Sequence, residues 1–197
     1  DHLVDIFDKK ELYLNRSDGT GWDDIYIPDN PAYNTMGSVS LADVNGDGLT
    51  DMISAPWYGS KEVFINNGNN SWNKDEKYSV PVPFSDKYGG DNGVRLDDAN
   101  GDGLIDIFYG HGSDWANRKV YINTGNGWVA SSKYDIPQPF VMGYSDNGLR
   151  LADVNGDGLT DFVFRPFYDN KVYIQNGGAA DLLMNFSNQK GGSTEIK

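Results

Sequence analysis

Residues 41–51 read Leu-Ala-Asp-Val-Asn-Gly-Asp-Gly-Leu-Thr-Asp; the same stretch returns at 151–161, and a variant, Leu-Asp-Asp-Ala-Asn-Gly-Asp-Gly-Leu-Ile-Asp, occupies 96–106. Starts at 41, 96 and 151 set a pitch of 55 residues, and a fixed pitch of that order marks a repeat architecture. Within each copy, oxygen-bearing side chains alternate around glycine, which is how a short loop wraps a hard cation.

Counted from Asp43, the first loop offers Asp43, Asn45, Asp47 and Asp51 at positions 1, 3, 5 and 9, with the Leu49 carbonyl at position 7. The second offers Asp98, Asn100, Asp102, the Leu104 carbonyl and Asp106; the third offers Asp153, Asn155, Asp157, the Leu159 carbonyl and Asp161. Glycine at position 6, Gly48 in the first loop, permits the positive φ that folds the donors inward. Three carboxylates, an amide and a carbonyl suit Ca²⁺, with its six to eight oxygen ligands, better than Mg²⁺; zinc and copper would call for His or Cys. An EF-hand is excluded by position 12, which is Ser54, Tyr109 or Phe164 where a glutamate would close the site. The same Asx-Gly residues are good turn formers without any ion. Against that reading, three carboxylates so close repel one another when unpaired.

Three further landmarks follow each loop. An apolar run (Met52-Ile53, Ile107-Phe108, Phe162-Val163) precedes a strand closing in an amide (Val63–Asn66, Val120–Asn123, Val172–Gln175). A Gly/Asn turn leading to tryptophan comes next, at Gly125–Trp128 and Gly68–Trp72, and then Pro81–Phe84 or Pro137–Phe140. β-Branched and aromatic runs bounded by Gly/Asn clusters are strands in hairpins, and proline at alternate positions suits an edge or connector. Asp91-Asn92-Gly93 and Asp146-Asn147-Gly148 lead into the next loop as turn formers.

The fold expected is all-β: β-propeller blades of about 3.5 units, each 55 residues, in a partial arc or a ring completed by oligomerisation or a longer parent chain. The divisions are 1–40, a partial first repeat; 41–95 and 96–150, two full repeats; 151–178, a partial last repeat; and 179–197, an exit segment.

Composition narrows the function. A formal charge of −13 argues against nucleic acid and anionic membranes, and three divalent ions would bring it to −7. No run approaches the ~20 apolar residues of a membrane-spanning helix. Cysteine is absent, which removes disulfides and thiolate sites and fits a bacterial secreted or cell-surface protein. With His2 and His111 the only histidines, and no nucleophile elbow or phosphate loop, an enzyme is not expected. Aromatic loops at Trp57, Trp115 and Phe167 are candidate ligand platforms, for a protein partner or a glycan, or else inter-blade packing.

These residues resemble the FG-GAP/VCBS repeat, the calcium-binding blade of integrin α-chain propellers and of many bacterial surface and toxin proteins. The resemblance covers about residues 10–178 and implies calcium at the three donor sets above. The family's Gly-Ala-Pro position falls on Ser54-Ala55-Pro56, Tyr109-Gly110-His111 and Phe164-Arg165-Pro166, so its proline is kept in two of three copies. The tail, Asp181-Leu182-Leu183 with Gly191-Gly192 and Thr194-Glu195-Ile196, is similar to the segment leaving the propeller in Rhs/YD-repeat toxin-complex B (SpvB-type) proteins. That likeness implies a docking propeller within a larger secreted chain.

Overall fold

The computed structural model describes residues 6–8, 11–15, 20–26, 38–68, 71–112, 118–165, 170–176, 185–187 and 193–195. Among them every regular element is a strand, and no helix is long and apolar enough to cross a membrane. Two four-stranded antiparallel sheets form the middle: β4 (Val39–Ala42), β5 (Asp51–Ser54), β6 (Glu62–Asn66) and β7 (Trp72–Lys74), then β8 (Val94–Asp97), β9 (Asp106–Gly110), β10 (Arg118–Asn123) and β11 (Trp128–Ser131). After a short hairpin of β12 (Val141–Met142) and β13 (Ser145–Asp146), a third sheet holds β14 (Leu149–Ala152), β15 (Asp161–Phe164) and β16 (Lys171–Tyr173). First strands opening at 39, 94 and 149 keep the pitch of the sequence repeat.

At the chain's beginning, β1 (Ile6–Asp8), β2 (Glu11–Asn15) and β3 (Trp22–Tyr26) form a three-stranded sheet. Asn15 lies opposite Trp22 there as Asn66 lies opposite Trp72 and Asn123 opposite Trp128. These strands therefore correspond to the second, third and fourth of a blade. Near the other end, β17 (Asn185–Ser187) and β18 (Ser193–Glu195) pair only with each other among the described residues.

The core is not inside any one sheet. Alternation along each strand sends side chains to both faces, and the faces are buried by the neighbouring sheets. Val44, Ile53 and Val63 of the first full sheet meet Ile107 and Trp128 of the second; Ala99, Phe108 and Val120 of the second meet Leu149 and Phe162 of the third. Phe108 and Phe162 stand edge to face at 5.9 Å between ring centres. Connectors fill the remaining space, with Val80, Val82 and Phe84 in the first interface and Ile136 and Phe140 in the second.

The Asp-Asn-Gly motif locks these connectors. Asn92 Nδ2 donates to the Pro83 carbonyl at 2.8 Å and Asn147 Nδ2 to that of Pro139 at 2.9 Å. Asp91 and Asp146 each accept the N–H of the motif glycine and pair with Arg95 or Arg150, which settles them as turn formers. The Arg150 guanidinium, ahead of the Gly148 N–H, holds the Asp146 carboxyl below the usual carboxylate range. Gly148 sits at φ +82° with its carbonyl accepting from Arg165, so a Cβ there would lie 2.7 Å from the Arg165 oxygen.

Gly148→Ala is therefore expected to destabilise the fold by about 2–4 kcal/mol, combining left-handed strain with overpacking. Gly143→Ala, at φ +66° with nothing within 4 Å, carries only the first cost, about 1–2 kcal/mol. Urea midpoints of the two variants check the difference.

Candidate metal centre

Each aspartate loop joins the first two strands of its sheet, and all three fold alike. In the first, Asp43 Oδ1 accepts the Gly46 N–H at 2.8 Å while Oδ2 accepts that of Gly48 at 2.8 Å. Asn45 Oδ1 takes the Asp47 N–H, and Asp47 Oδ1 takes that of Leu49. Asp98 and Asp153 receive the corresponding glycine N–H groups in the other loops. Gly48 at φ +85° allows the turn, and Gly46, at φ +77°, has a second function. A Cβ on Gly46 would meet the side chain of Leu104, from the next loop, at 3.0 Å; on Gly101 it would meet Leu159 at 3.2 Å.

The ninth-position aspartates do something the sequence did not disclose. Asp51, Asp106 and Asp161 are each 0% exposed. Asp106 Oδ2 accepts the Ala99 N–H at 2.9 Å within the loop, and Oδ1 accepts that of Asn123 at the end of the third strand, at 2.6 Å. Asp51 bridges Val44 and Asn66 in the same way, and Asp161 bridges Val154 and Gln175. Burial pushes the Asp106 carboxyl up to about 7 against the pull of those two N–H groups, with the Asp102 and Asp98 charges raising it further. The Asp51 carboxyl is raised for the same reasons, whereas at exposed Asp153 the loop N–H groups, Gly158 first, lower it.

A second undisclosed device ties the first and second loops to the following blade. Asn123 Nδ2 donates to the Val44 carbonyl at 2.8 Å, Gln175 Nε2 to the Ala99 carbonyl at 2.7 Å, and Thr160 Oγ1 to that of Asp98 at 2.7 Å. The amides Asn123 and Gln175 were the available signal, although their partners lie in another repeat, whereas Asn66 Nδ2 donates to the Thr50 carbonyl of its own repeat.

Among the described residues no three Asp, Glu or His side chains stand together as a metal cluster. Positions 1 and 5 are turned onto loop N–H groups, Asn45 Nδ2 donates to Asp47 Oδ2, and position 9 is turned onto the sheet. The donor chemistry still fits a hard cation: all ligand atoms are oxygens, a carboxylate offers about four lone-pair sites, and no described ion pair neutralises the nine carboxylates.

At the opposite end of the blades, Trp57, Asp86, Tyr88, Tyr109, His111 and Tyr144 line a groove of about 450 Å³. Trp57 is 47% exposed, Tyr88 69% and Tyr144 84%, the two tyrosine rings lying 6.3 Å apart, and Lys87 Nζ sits over the Tyr88 ring. Trp57 is thus an exposed ring at the groove. Inter-blade packing falls to Trp128, whose ring is 5.5 Å from that of Tyr78 and whose Nε1 donates to the Ile105 carbonyl. Trp115 and Phe167 lie outside the described residues.

Asp106→Ala leaves two N–H groups of the blade without acceptors and is expected to cost about 2–5 kcal/mol by chemical denaturation. An acid whose folded pKa exceeds its unfolded value of 3.8 destabilises the fold when ionised, so metal-free wild type should gain stability as pH falls through about 7. The variant should lose that gain, which chelator-treated melting curves across the window would show.

Known proteins match this arrangement. The FG-GAP-like repeat family matches residues 43–109 and 98–164, which together cover more than half of the chain. A lectin from Agrocybe aegerita, solved in specific recognition of non-reducing terminal N-acetylglucosamine, superimposes with a TM-score of 0.61 over 87% of this chain at 20% identity. The chain spans 44% of that lectin's length. Curated proteins provide no match in sequence. Repeated four-stranded antiparallel sheets, joined at constant pitch through aspartate loops and matched by that family, make the chain a member of the FG-GAP-like repeat family, with the blades of a β-propeller.

Proposed function

We propose that the chain is a calcium-stabilised, non-catalytic binding segment of a propeller, which docks a protein partner through the aromatic groove at the end opposite the aspartate loops. The triplicated donor set supports calcium. Asp43, Asn45, Asp47, Asp51 and the Leu49 carbonyl would hold one ion, with Asp98 to Asp106 and Asp153 to Asp161 holding two more at the equivalent atoms. Calcium would supply positive charge against the three carboxylates that each loop carries. The protein's part is to present those oxygens from a loop already fixed by its own N–H groups.

Exposed aromatic rings beside charged and amide groups are the chemistry of docking hot spots, and supporting them on blade ends holds them rigid. The finer placement, in a secreted Rhs/toxin-complex-type protein, rests on the tail motif alone. Most of that tail lies outside the described residues.

A ligand that binds only the folded state stabilises it by about 2.7 kcal/mol per site at 100 times its dissociation constant. Extracellular calcium modules bind at roughly 10⁻⁴–10⁻³ M, so millimolar calcium should raise the melting temperature relative to chelator. Asp43→Ala, Asp98→Ala and Asp153→Ala should each remove part of the shift. A melting curve that calcium leaves in place rejects the metal.

The groove also favours a second reading, a glycan ligand. Tyrosine and tryptophan faces flanked by Asp86, Asn92 and His111 can stack on a sugar ring and hydrogen-bond its hydroxyls, and a lectin shares the fold. Trp57→Ala and Tyr144→Ala alter exposed rings and should leave melting unchanged. If a glycan array gives a signal that both variants abolish, the ligand is carbohydrate; with no signal, the docking reading stands and pull-down with the two variants tests it.

A further inference from the structure

An asparagine followed by glycine is the pair whose side-chain amide reacts most readily with the backbone, because glycine has no Cβ to shield its nitrogen. The chain has eight such pairs, opening at Asn45, Asn67, Asn92, Asn100, Asn126, Asn147, Asn155 and Asn176. The fold holds both reacting groups in six of them. In the aspartate loops Asn45, Asn100 and Asn155 donate through Nδ2 to Asp47, Asp102 and Asp157, while the following glycine N–H goes to Asp43, Asp98 or Asp153. Asn92 and Asn147 are tied to proline carbonyls, with Gly93 and Gly148 tied to Asp91 and Asp146. Asn67 Nδ2 donates to Ser71, and the Gly68 N–H to Asn66 Oδ1. Gly177, which follows Asn176, lies outside the described residues.

Asn126-Gly127 is different. It sits in the turn 124–127 between β10 and β11, where Asn126 is exposed and neither its amide nor the Gly127 N–H bonds any described residue. The corresponding turn of the first full sheet, 67–71, is one residue longer and ends in the serine that holds Asn67. What the shorter turn does hold is its own closure and its neighbour: Thr124 donates twice to the Gly127 carbonyl, and Tyr78 Oη donates to that of Gly125 at 3.3 Å. Gly127 itself is tucked against the Lys77 carbonyl.

We propose that Asn126 is a modification site, converted within the folded protein to aspartate or isoaspartate by attack of the Gly127 nitrogen. That nitrogen bonds to Asn126 Cγ, the Cγ–Nδ2 bond breaks, and the amide nitrogen leaves as ammonia with the proton that Gly127 gave up. Water then opens the cyclic imide. Breaking the new N–Cγ bond gives aspartate, and breaking the bond from nitrogen to the main-chain carbonyl carbon gives isoaspartate; water is the only co-reactant and nothing is oxidised or reduced. Isoaspartate lengthens the main chain by a carbon between Asn123 and Trp128, the two residues that fasten the second sheet to the first through the Val44 carbonyl and the Tyr78 ring. Modification therefore loosens one blade interface while the loop asparagines stay amides.

Native protein held at mildly alkaline pH, then digested in acid and mapped by mass spectrometry, should show the Asn126 peptide gaining the mass of amide-to-acid conversion. It should do so about 30-fold faster than the six held asparagines, each of which must first give up two hydrogen bonds. Urea-unfolded chain holds no amide and should convert all of these sites at similar rates. Over the same incubation the melting temperature of wild type should fall, while that of Asn126→Gln, whose longer side chain closes a less favourable ring, should stay in place. Native protein whose Asn126 remains intact, or is matched by a held asparagine, overturns the proposal. So does a preference for Asn126 that survives unfolding, or an equal loss of melting temperature in Asn126→Gln.

Discussion

A buried aspartate carboxylate holds each blade together. Asp51, Asp106 and Asp161 are each the first residue of a second strand, and each joins the loop before it to the third strand's end, at Asn66, Asn123 or, two residues past β16, Gln175, through two backbone N–H bonds. A carboxylate is the only side chain that can accept from both at once without a competing donor. An amide in its place would turn an NH₂ toward one of those N–H groups. Its burial is costly, as the raised Asp106 pKa records, and a cation seated among the neighbouring carboxylates would offset that cost.

Because burial happens between sheets, no single blade has a core of its own. Val63 is covered by Ile107 and Trp128 from the next repeat together with the connector residues Val80, Val82 and Phe84, and Val120 by Phe162 together with Ile136 and Phe140. Stability in such an array is a sum over the repeats and their interfaces.

The parts of this architecture carried by short-range chemistry were legible in the sequence. Donor spacing, Asx-Gly turns and strand alternation all act within about a dozen residues, and the three loops stand where those signals put them, while the last expected strand, Val172–Gln175, stops at Tyr173. Partners far apart in sequence were not legible. Asn123 could be recognised as a strand end but not as a donor to Val44, 79 residues away. The role of Gly46, leaving room for Leu104, depends on two loops lying side by side. Tryptophan gave the same difficulty: Trp57 and Trp128 are both preceded by turn-forming residues, and only the packing of sheets leaves one exposed and makes the other a wedge.

Loop order and blade packing are coupled through one residue. Position 2 of the first two loops stands between two candidate metal ligands, gives its N–H to the buried aspartate, sends its side chain into the inter-blade core, and gives its carbonyl to the next blade's amide. Val44 and Ala99 each do all four. An ion that fixes positions 1 and 3 therefore also fixes the height of that carbonyl, and an amide that seizes the carbonyl also orders the loop. Binding at the loop and docking of the adjacent blade then share one conformational cost, so whichever comes first lowers the cost of the other. Val154 occupies the same position with its side chain half exposed, and its N–H is likewise given to the buried aspartate of its loop, Asp161.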